Sequence, residues 1–391
     1  MKAKVKAKTK GKSKSKSKKK NDAPIKVLIN FCRVILGLTF MFSGIVKAID
    51  PVGTQIKLSD YLYAFGMGGT MLDSTLLILA CFLAGFEILI GAYMVMGAFS
   101  KGSSLVVMLM MVVLTPFTLY LALENPVDEC GCFGDALVLT NWQTFYKNVF
   151  LLILSVLVFI KRKHIVPFLD SRRYWMVTII MTLIAVRFMN GNVKNLPVLD
   201  FRAYKVGTDL RHEVFDSIKN LAVSDFSLMD DDMNDITHDI LDDPGYTFLL
   251  VSPHVEDASE NGLDLIDDVF DYCSHWGYNM IGVTSSGADA IKQWTENAGA
   301  EVPFIFCDEI PLQTMVRSNP GLVLLKDGVI INKWSYASIP SDEQLSAPLD
   351  KISVGRIPDP DPLRTPWAVA ILFALPLLMI LLIDKIKKTI Q

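Results

Sequence analysis

Asp128-Glu129-Cys130-Gly131-Cys132-Phe133-Gly134-Asp135 is the stretch that decides how this chain is organised. It lies between two long apolar runs, and it holds two cysteines one residue apart, with glycines between and after them. Two thiols that close together form only a small, strained ring on oxidation, and strain makes a disulfide easier to reduce. The spacing therefore favours a redox-active pair at a membrane surface over a structural staple.

The composition indicates a membrane protein with uneven charge. The chain has 391 residues, of which 51% are hydrophobic, and it is long enough for two or three domains. Its net charge of −3 hides a basic start, because the first twenty residues hold eleven lysines and no acidic residue. The six cysteines are too few and too scattered for a disulfide scaffold.

Six apolar segments each have about the 20 residues that a bilayer requires. They cover residues 27–49, 74–98, 104–123, 144–160, 174–190 and 366–383. Basic residues lie before the first segment, in the second and fourth connectors, and after the sixth segment, so both termini are expected in the cytoplasm. The Cys-Gly-Cys loop and the large segment 191–364 then share the extracytoplasmic side, where disulfide chemistry is permitted.

The sequence predicts an α-helical membrane bundle joined to an extracytoplasmic α/β domain. From residue 246 strands and helices alternate, and two strands meet in a hairpin through Lys326-Asp327-Gly328, which predicts an α/β sandwich. The expected parts are a disordered lysine-rich tail at 1–25, a four-helix membrane bundle at 26–165, a fifth transmembrane helix at 166–195, the extracytoplasmic domain at 196–357, and a Pro-Asp linker with the sixth helix and a basic cytoplasmic end at 358–391.

Ionisable residues inside the apolar segments are candidate binding groups, since such residues are costly in a membrane unless paired or wet. Arg33 and Lys47 fall on one face of the first segment, and Glu87 lies near the middle of the second. Similar depth predicts an ion pair between Arg33 and Glu87. A buried clamp between helices and a role in proton or ligand handling are both consistent with such a pair.

The membrane part resembles the DoxX/MauE family. The resemblance rests on Phe42-Ser43-Gly44-Ile45-Val46-Lys47, on Glu87 and on the run from Asp128 to Gly134. MauE-like proteins accompany thioredoxin-like partners in disulfide formation, and some DoxX relatives belong to quinone-linked oxidoreductases. The resemblance therefore implies Cys130 and Cys132 as catalytic thiols, and a quinone as cofactor near Arg33, Lys47 and Glu87.

The outer segment is similar to thioredoxin/peroxiredoxin-like proteins. The similarity rests on the strand and helix order and on Ser318-Asn319-Pro320-Gly321, whose proline is cis and faces the active site in that fold. The position of the usual Cys-x-x-Cys reads Ser252-Pro253-His254-Val255-Glu256-Asp257, so the domain cannot run ordinary dithiol exchange. The resemblance implies a degenerate thioredoxin-like module that binds a partner through His254, Asn319 and Pro320.

The whole chain resembles the DoxX–thioredoxin-like fusions of Bacteroidetes-type bacteria. This resemblance implies a multi-pass protein of the bacterial inner membrane with its large domain in the periplasm. The expected partners are membrane lipid and an extracytoplasmic protein. No metal is predicted, because the five histidines lack ligand spacing and two cysteines are too few for a closed zinc site. No nucleic-acid motif is visible.

Two functions stay open. The first is a membrane thiol–disulfide oxidoreductase, linked to a quinone, that acts on an extracytoplasmic partner through Cys130 and Cys132. The acidic Asp128, Glu129 and Asp135 count against it, because nearby negative charge raises the pKa of a thiol. The second is a non-catalytic binding or assembly protein, a subunit of an envelope complex, in which the cysteines form a structural disulfide or a turn. Transport is weaker, since no inverted repeat is visible.

Overall fold

The computed structural model describes residues 3–127, 130–211, 226–298 and 301–390. The chain divides into two compact units, residues 1–189 with 369–391 and residues 190–368. Asp128 and Glu129, which the sequence places beside the thiols, lie outside the described residues.

Long helices make up most of the first unit, and two of them extend a few residues beyond its bounds. They are α1 Ala3–Ile49, α2 Pro51–Ala64, α3 Asp73–Met96, α4 Ser100–Glu124, α5 Asn141–Ile160, α6 Tyr174–Lys194 and, at the end of the chain, α11 Pro366–Ile390. In the described part of the chain, six helices are long and apolar enough to cross a membrane. The candidate spans are Ala23–Ile49, Asp73–Met96, Ser100–Glu124, Asn141–Ile160, Ser171–Lys194 and Pro366–Lys387. The prediction of six spans is confirmed.

Two helical features differ from expectation. The helix α1 begins at Ala3, within the lysine-rich stretch expected to be disordered. Lysine and alanine are good helix formers, so an existing helix can extend through them without burying apolar surface. The helix α2, Pro51–Ala64, lies in what the sequence presents as a loop, and the Asp50 side chain caps it by accepting a bond from the backbone N–H of Gly53.

Small residues set the register between the antiparallel helices α1 and α3. A Cβ added at Gly44 would lie 2.6 Å from the backbone N of Ile88, and one at Gly91 would lie 2.5 Å from the backbone N of Met41. These positions therefore admit only glycine without a shift of the backbone, and they bring the two helix axes close together. The contacts place residues of α1 near 44 beside residues of α3 near 88.

Polar side chains join the helices α4 and α5 in the same unit. Asn148 Nδ2 donates to Thr118 Oγ1 at 3.2 Å, inside the bundle. The start of α5 is fixed by a capping box, in which Thr140 and Gln143 each bond the other's backbone N–H. The helix α5 therefore begins directly after the loop that carries the two thiols.

A five-stranded mixed sheet with the order β3-β2-β1-β4-β5 forms the centre of the second unit. Its strands are β1 Tyr246–Val251, β2 Asn279–Thr284, β3 Phe304–Phe306, β4 Gly321–Lys326 and β5 Val329–Ser335. Its helices are α7 Thr237–Leu241, α8 Leu263–Trp276, α9 Ala288–Ala298 and α10 Glu309–Met315. The strands β1, β2 and β3 are parallel, and β4 pairs antiparallel with both β1 and β5.

Both faces of the sheet are buried. Along β1, Phe248 and Leu250 join the apolar cluster that contains α8, whereas Leu249 and Val251 join the cluster on the opposite face. This alternation is the period of a strand, and it makes the unit an α/β sandwich. The predicted hairpin between β4 and β5 is also present, with positive φ at Asp327 and Gly328 as a tight turn requires.

Candidate functional site: a thiol pair at a cavity in the helical bundle

The Cys-Gly-Cys segment folds back on itself so that its two side chains meet. Gly131 and Gly134 have φ values of 63° and 50°, which turn the chain on either side of Cys132. The Sγ atoms of Cys130 and Cys132 lie 2.8 Å apart, and both thiols are free. One thiol therefore donates a hydrogen bond to the other in the reduced state.

Groups from two helices hold the backbone of this pair. The carbonyl of Cys132 accepts hydrogen bonds from Ser43 Oγ at 2.7 Å and from Lys47 Nζ at 2.9 Å, both on α1. The carbonyl of Cys130 accepts a bond from the hydroxyl of Tyr61, on α2, at 2.6 Å. The position of the loop is thus fixed through its carbonyls, which leaves both sulfur atoms available for chemistry.

The Lys47 ammonium is the centre of a buried polar network. Its Nζ lies 2.9 Å from Glu87 Oε2 and 2.7 Å from Ser43 Oγ, in addition to the Cys132 carbonyl. Lys47 is 7% exposed and Glu87 is 6% exposed, so the ion pair is almost fully removed from solvent. All three protons of the ammonium have acceptors, and the charge of Glu87 is compensated inside the bundle.

The expected ion pair between Arg33 and Glu87 is wrong. Arg33 lies almost four turns before Lys47 on α1, and the register against α3 places it at the C-terminal end of α3, about two turns beyond Glu87. Its guanidinium donates to the carbonyls of Met94 and Val95 at 2.7 and 2.9 Å, beside Gly97, which ends α3. Arg33 is fully buried and caps the end of a helix, away from the thiols.

A cavity of about 510 Å³ lies inside the bundle beside the thiols. Its polar lining comprises Thr39, Ser43, Lys47, Thr54, Lys57, Tyr61, Glu87, Cys130, Cys132, Lys147 and Asn148. The remaining lining is largely apolar and includes Phe40, Leu58, Leu83, Leu109, Met110, Met111, Val113, Leu114, Phe117, Phe133 and Leu151. The structure therefore brings together four of the predicted site residues, Cys130, Cys132, Lys47 and Glu87, at one cavity.

Lys147 is a site residue that the sequence analysis does not identify. It projects from α5, lines the cavity, and holds its Nζ 4.2 Å from the centre of the Phe133 ring. A lysine early in an amphipathic membrane helix is usually assigned to the interface, so its place beside the thiols follows only from the packing of α5 against the loop.

The two thiols have opposite pKa shifts. The hydrogen bond from Cys130 holds the pKa of the Cys132 thiol well below its usual range, and the charges of Lys147 and Lys47 lower it further, against the effects of burial and of Glu87. The same hydrogen bond and burial raise the pKa of Cys130. The directions of the two shifts make Cys132 the more acidic member of the pair.

The predicted partner-binding residues lie close together in the second unit. The Asn319–Pro320 peptide bond is cis, as the sequence predicts. Asn319 accepts a bond from Ser252 Oγ at 2.6 Å and donates to the His254 carbonyl at 2.7 Å, so the two loops are joined at the ends of β1 and β4. The ring of His254 is half-exposed, with Nε2 3.1 Å from a Glu309 carboxylate oxygen.

The other cysteines lie elsewhere. Cys273 and Cys307 are buried in the clusters on the two faces of the sheet, and burial raises the pKa of each thiol to about 12. Cys32 is buried within α1, and Cys81 is half-buried in α3. Among the described residues, no group of three or more His, Cys, Asp or Glu side chains is arranged to hold a metal ion.

These features define a class: a multi-pass membrane protein whose helical bundle holds a thiol-lined cavity, with a separate α/β unit. Residues 25–161 match the family model described as methylamine utilisation protein MauE. This segment is therefore a MauE-type membrane domain, and it contains α2 to α5, most of the membrane-spanning part of α1, and every residue that lines the cavity. Comparison with curated proteins gave no match, and comparison with solved structures gave none.

Proposed function

We propose that the protein is a membrane thiol–disulfide oxidoreductase in which Cys130 and Cys132 exchange with an extracytoplasmic protein partner. The observation that carries the proposal is the contact of two free thiols, 2.8 Å apart, at a cavity lined by a buried Lys47–Glu87 pair. If the loop were only structural, a disulfide or the hydrogen bonds to its carbonyls would suffice, and two free thiols in contact would not be needed. A lowered pKa at one thiol and a raised pKa at its neighbour match the division of roles in dithiol exchange.

The exchange needs only these two residues on this chain. When the pair reduces a partner disulfide, the Cys132 thiolate attacks one partner sulfur, and the other partner sulfur leaves as a thiolate. Cys130 then loses its proton and attacks Cys132, which releases the second partner sulfur. Cys130 and Cys132 end as a disulfide, the partner gains two electrons, and the one proton lost by Cys130 goes to a leaving thiolate or to solvent. The same steps in reverse oxidise a partner dithiol.

A quinone is the proposed membrane cofactor, and the cavity fits one. Its walls are largely apolar, as a quinone ring with an isoprenoid tail requires, and the Lys147 ammonium supplies a hydrogen-bond donor with no carboxylate contact among the described residues. When bound, a quinone would supply two-electron acceptor chemistry. The chain would orient it with Lys147, exclude water with the side chains of α4, and hold Cys132 with Lys47 and Ser43.

The second unit is proposed to be a thioredoxin-like recognition module without its own redox chemistry. The sheet order, the parallel pairing of β1 and β2, and the antiparallel β4 support this assignment. His254 follows β1 and Asn319 precedes β4, and these two hydrogen-bonded loops are where the active site of a thioredoxin-like module is expected. We place this unit and the thiol loop in the periplasm and both termini in the cytoplasm, on the distribution of basic residues.

The second candidate is a non-catalytic assembly protein of the envelope. It is favoured by the absence of cysteine from Ser252 to Asp257, which leaves the α/β unit only a binding role. Trapping of mixed disulfides separates the two candidates. Under the oxidoreductase, full-length chain with Cys130→Ser or with Cys132→Ser accumulates a reducible covalent adduct with a partner in membranes, and the double variant does not. Equal adduct levels in the single and double variants would favour the assembly protein.

A further inference from the structure

The lining of the cavity carries an excess of positive charge beside the thiols. Among the described residues, three lysines, Lys47, Lys57 and Lys147, line it together with one carboxylate, Glu87. Lys47 is matched by Glu87 in a direct ion pair. The sequence, by contrast, shows acidic residues on both sides of the cysteines and suggests thiols with a raised pKa.

Lys147 reaches this site from a helix that the thiol loop packs against. Its Nζ stands 4.2 Å from the centre of the ring of Phe133, the residue that follows Cys132. Phe133 is 7% exposed, and its ring also packs against that of Phe42, with ring centres 5.3 Å apart. These contacts fix the position of the Phe133 ring. Within the described part of the chain, the cation is therefore held over the residue that follows Cys132 by a cation–π contact, with no ion pair to a carboxylate.

We propose that Lys147 is a positioning residue that keeps Cys132 as a thiolate in the resting, reduced protein. In this state the Cys132 thiol has given its proton to water, and the Sγ–H of Cys130 donates to the resulting sulfur anion. The proposal rests on the proposed function for its purpose, because it names which thiol begins the exchange. Its geometry stands independently of that function.

The charge around Cys132 comes from the loop itself and from several of the helices that surround it. Among the described residues, the titratable groups that line the cavity with Cys132 are Lys47 from α1, Lys57 and Tyr61 from α2, Glu87 from α3, Lys147 from α5, and Cys130 from the loop itself. The helix α4 contributes apolar side chains, such as Leu114 and Phe117. Lys47 is paired with Glu87, so Lys147, whose ammonium lies over the ring of the residue after Cys132, is a cation of the described lining that can balance a negative charge at Cys132.

The test is the pH profile of alkylation of Cys132 in the reduced, full-length protein in membranes, with the modified cysteine identified by mass spectrometry. The variants are Lys147→Gln, Lys147→Arg, and, as a matched control, Lys101→Gln at the exposed start of α4. Removal of an adjacent positive charge is expected to raise the alkylation midpoint of Cys132 by about one pH unit. The Lys147→Arg variant and the control should keep the parent midpoint.

Three results would overturn the role of Lys147: an unchanged midpoint in Lys147→Gln, an equal shift in Lys147→Arg and Lys147→Gln, or a parent Cys132 that stays unmodified up to pH 9. The outcome is separate from that of the proposed function. A shifted midpoint in a protein without a reversible dithiol couple would keep the thiolate and remove the oxidoreductase. A reversible couple with an unchanged midpoint in Lys147→Gln would keep the oxidoreductase and remove the role of Lys147.

Discussion

Lys47 and Glu87 form an ion pair inside the helical bundle, with Nζ and Oε2 2.9 Å apart, and the same ammonium donates to the carbonyl of Cys132. The position of the thiol loop therefore depends on a charge pair between α1 and α3. A buried pair is costly to break from one side, because the remaining charge has no partner and little water.

The first prediction concerns this pair. The single variants Lys47→Met and Glu87→Leu should each lose about 3–5 kcal/mol of stability, whereas the double variant should lose less than either single change because it leaves no buried charge. Unfolding of the purified full-length protein in one detergent, followed by thermal melting, measures the three effects. A double variant as unstable as the sum of the single variants would contradict the pairing.

The second prediction concerns the hold of α2 on the thiol loop. Tyr61→Phe removes the hydroxyl that donates to the Cys130 carbonyl at 2.6 Å. Loss of about 1 kcal/mol from this hydrogen bond should expose the loop more often and raise the rate of backbone hydrogen exchange in residues 130–134 about fivefold. Tyr63→Phe, on the exposed side of the same helix, is the control and should leave the rate unchanged. Equal rates in the two variants would mean that Tyr61 does not restrain the loop.

The third prediction concerns the close approach of α1 and α3. Gly91→Ala places a Cβ 2.5 Å from the backbone of Met41 and should destabilise the bundle by about 1–3 kcal/mol. Gly102→Ala is the matched control, since a Cβ there meets nothing within 4 Å and alanine favours a helix. The melting temperature should be lower than that of the parent in Gly91→Ala and equal or higher in Gly102→Ala. A Gly91→Ala protein as stable as the control would show that the helices are further apart than described.

The features that were predictable depend on local pattern. Apolar runs predict the six spans to within a few residues, and the sequence Lys326-Asp327-Gly328 predicts the hairpin, because each is decided by neighbours in the chain. The Arg33–Glu87 pairing was wrong because depth along a helix depends on register. That register is fixed by contacts between Gly44 or Gly91 and the opposite backbone, and no local pattern states which glycine meets which residue.

The cavity was only partly predictable for the same reason. Cys130, Cys132, Lys47 and Glu87 are unusual residues in their settings, so the sequence marks them singly as candidates. Lys147 and the helix α2 look like ordinary interfacial features until the packing brings them beside the thiols. Three lysines line the cavity, which the acidic neighbours of the cysteines in the sequence do not indicate. Two of those neighbours, Asp128 and Glu129, lie outside the described residues.

The fourth prediction concerns acid stability of the α/β unit. Burial would raise the pKa of Asp200, but Lys333 and Arg202 outweigh it and hold that pKa below its usual value. A lowered pKa in the folded state means that the stabilisation by Asp200 is complete above about pH 4 and is lost as the pH falls through the folded value. Asp200→Asn should remove this acid dependence and also leave the buried Lys333 ammonium without its counter-charge, at a cost of roughly 3 kcal/mol.

Hydrogen exchange of β5 in the full-length protein, compared at neutral and acid pH, measures this effect. The chain offers a matched control, because Asp209 bonds Arg211 with the same spacing and geometry as Asp200 bonds Arg202, but at a more exposed position. In the variant Asp209→Asn, β5 should be protected from hydrogen exchange as well as it is in the parent. Equal loss of protection in both variants would show that burial of the Asp200 cluster is not the cause.

A redox titration of the full-length protein in membranes shows whether Cys130 and Cys132 form a reversible couple. Samples are equilibrated with thiol–disulfide buffers over the range of extracytoplasmic potentials, quenched with acid, and treated with a mass-tagged alkylating reagent. We expect a two-electron transition within that range, which disappears in both Cys130→Ser and Cys132→Ser. If the pair stays fully reduced or fully oxidised throughout, Cys130 and Cys132 are not the redox couple of a thiol–disulfide oxidoreductase.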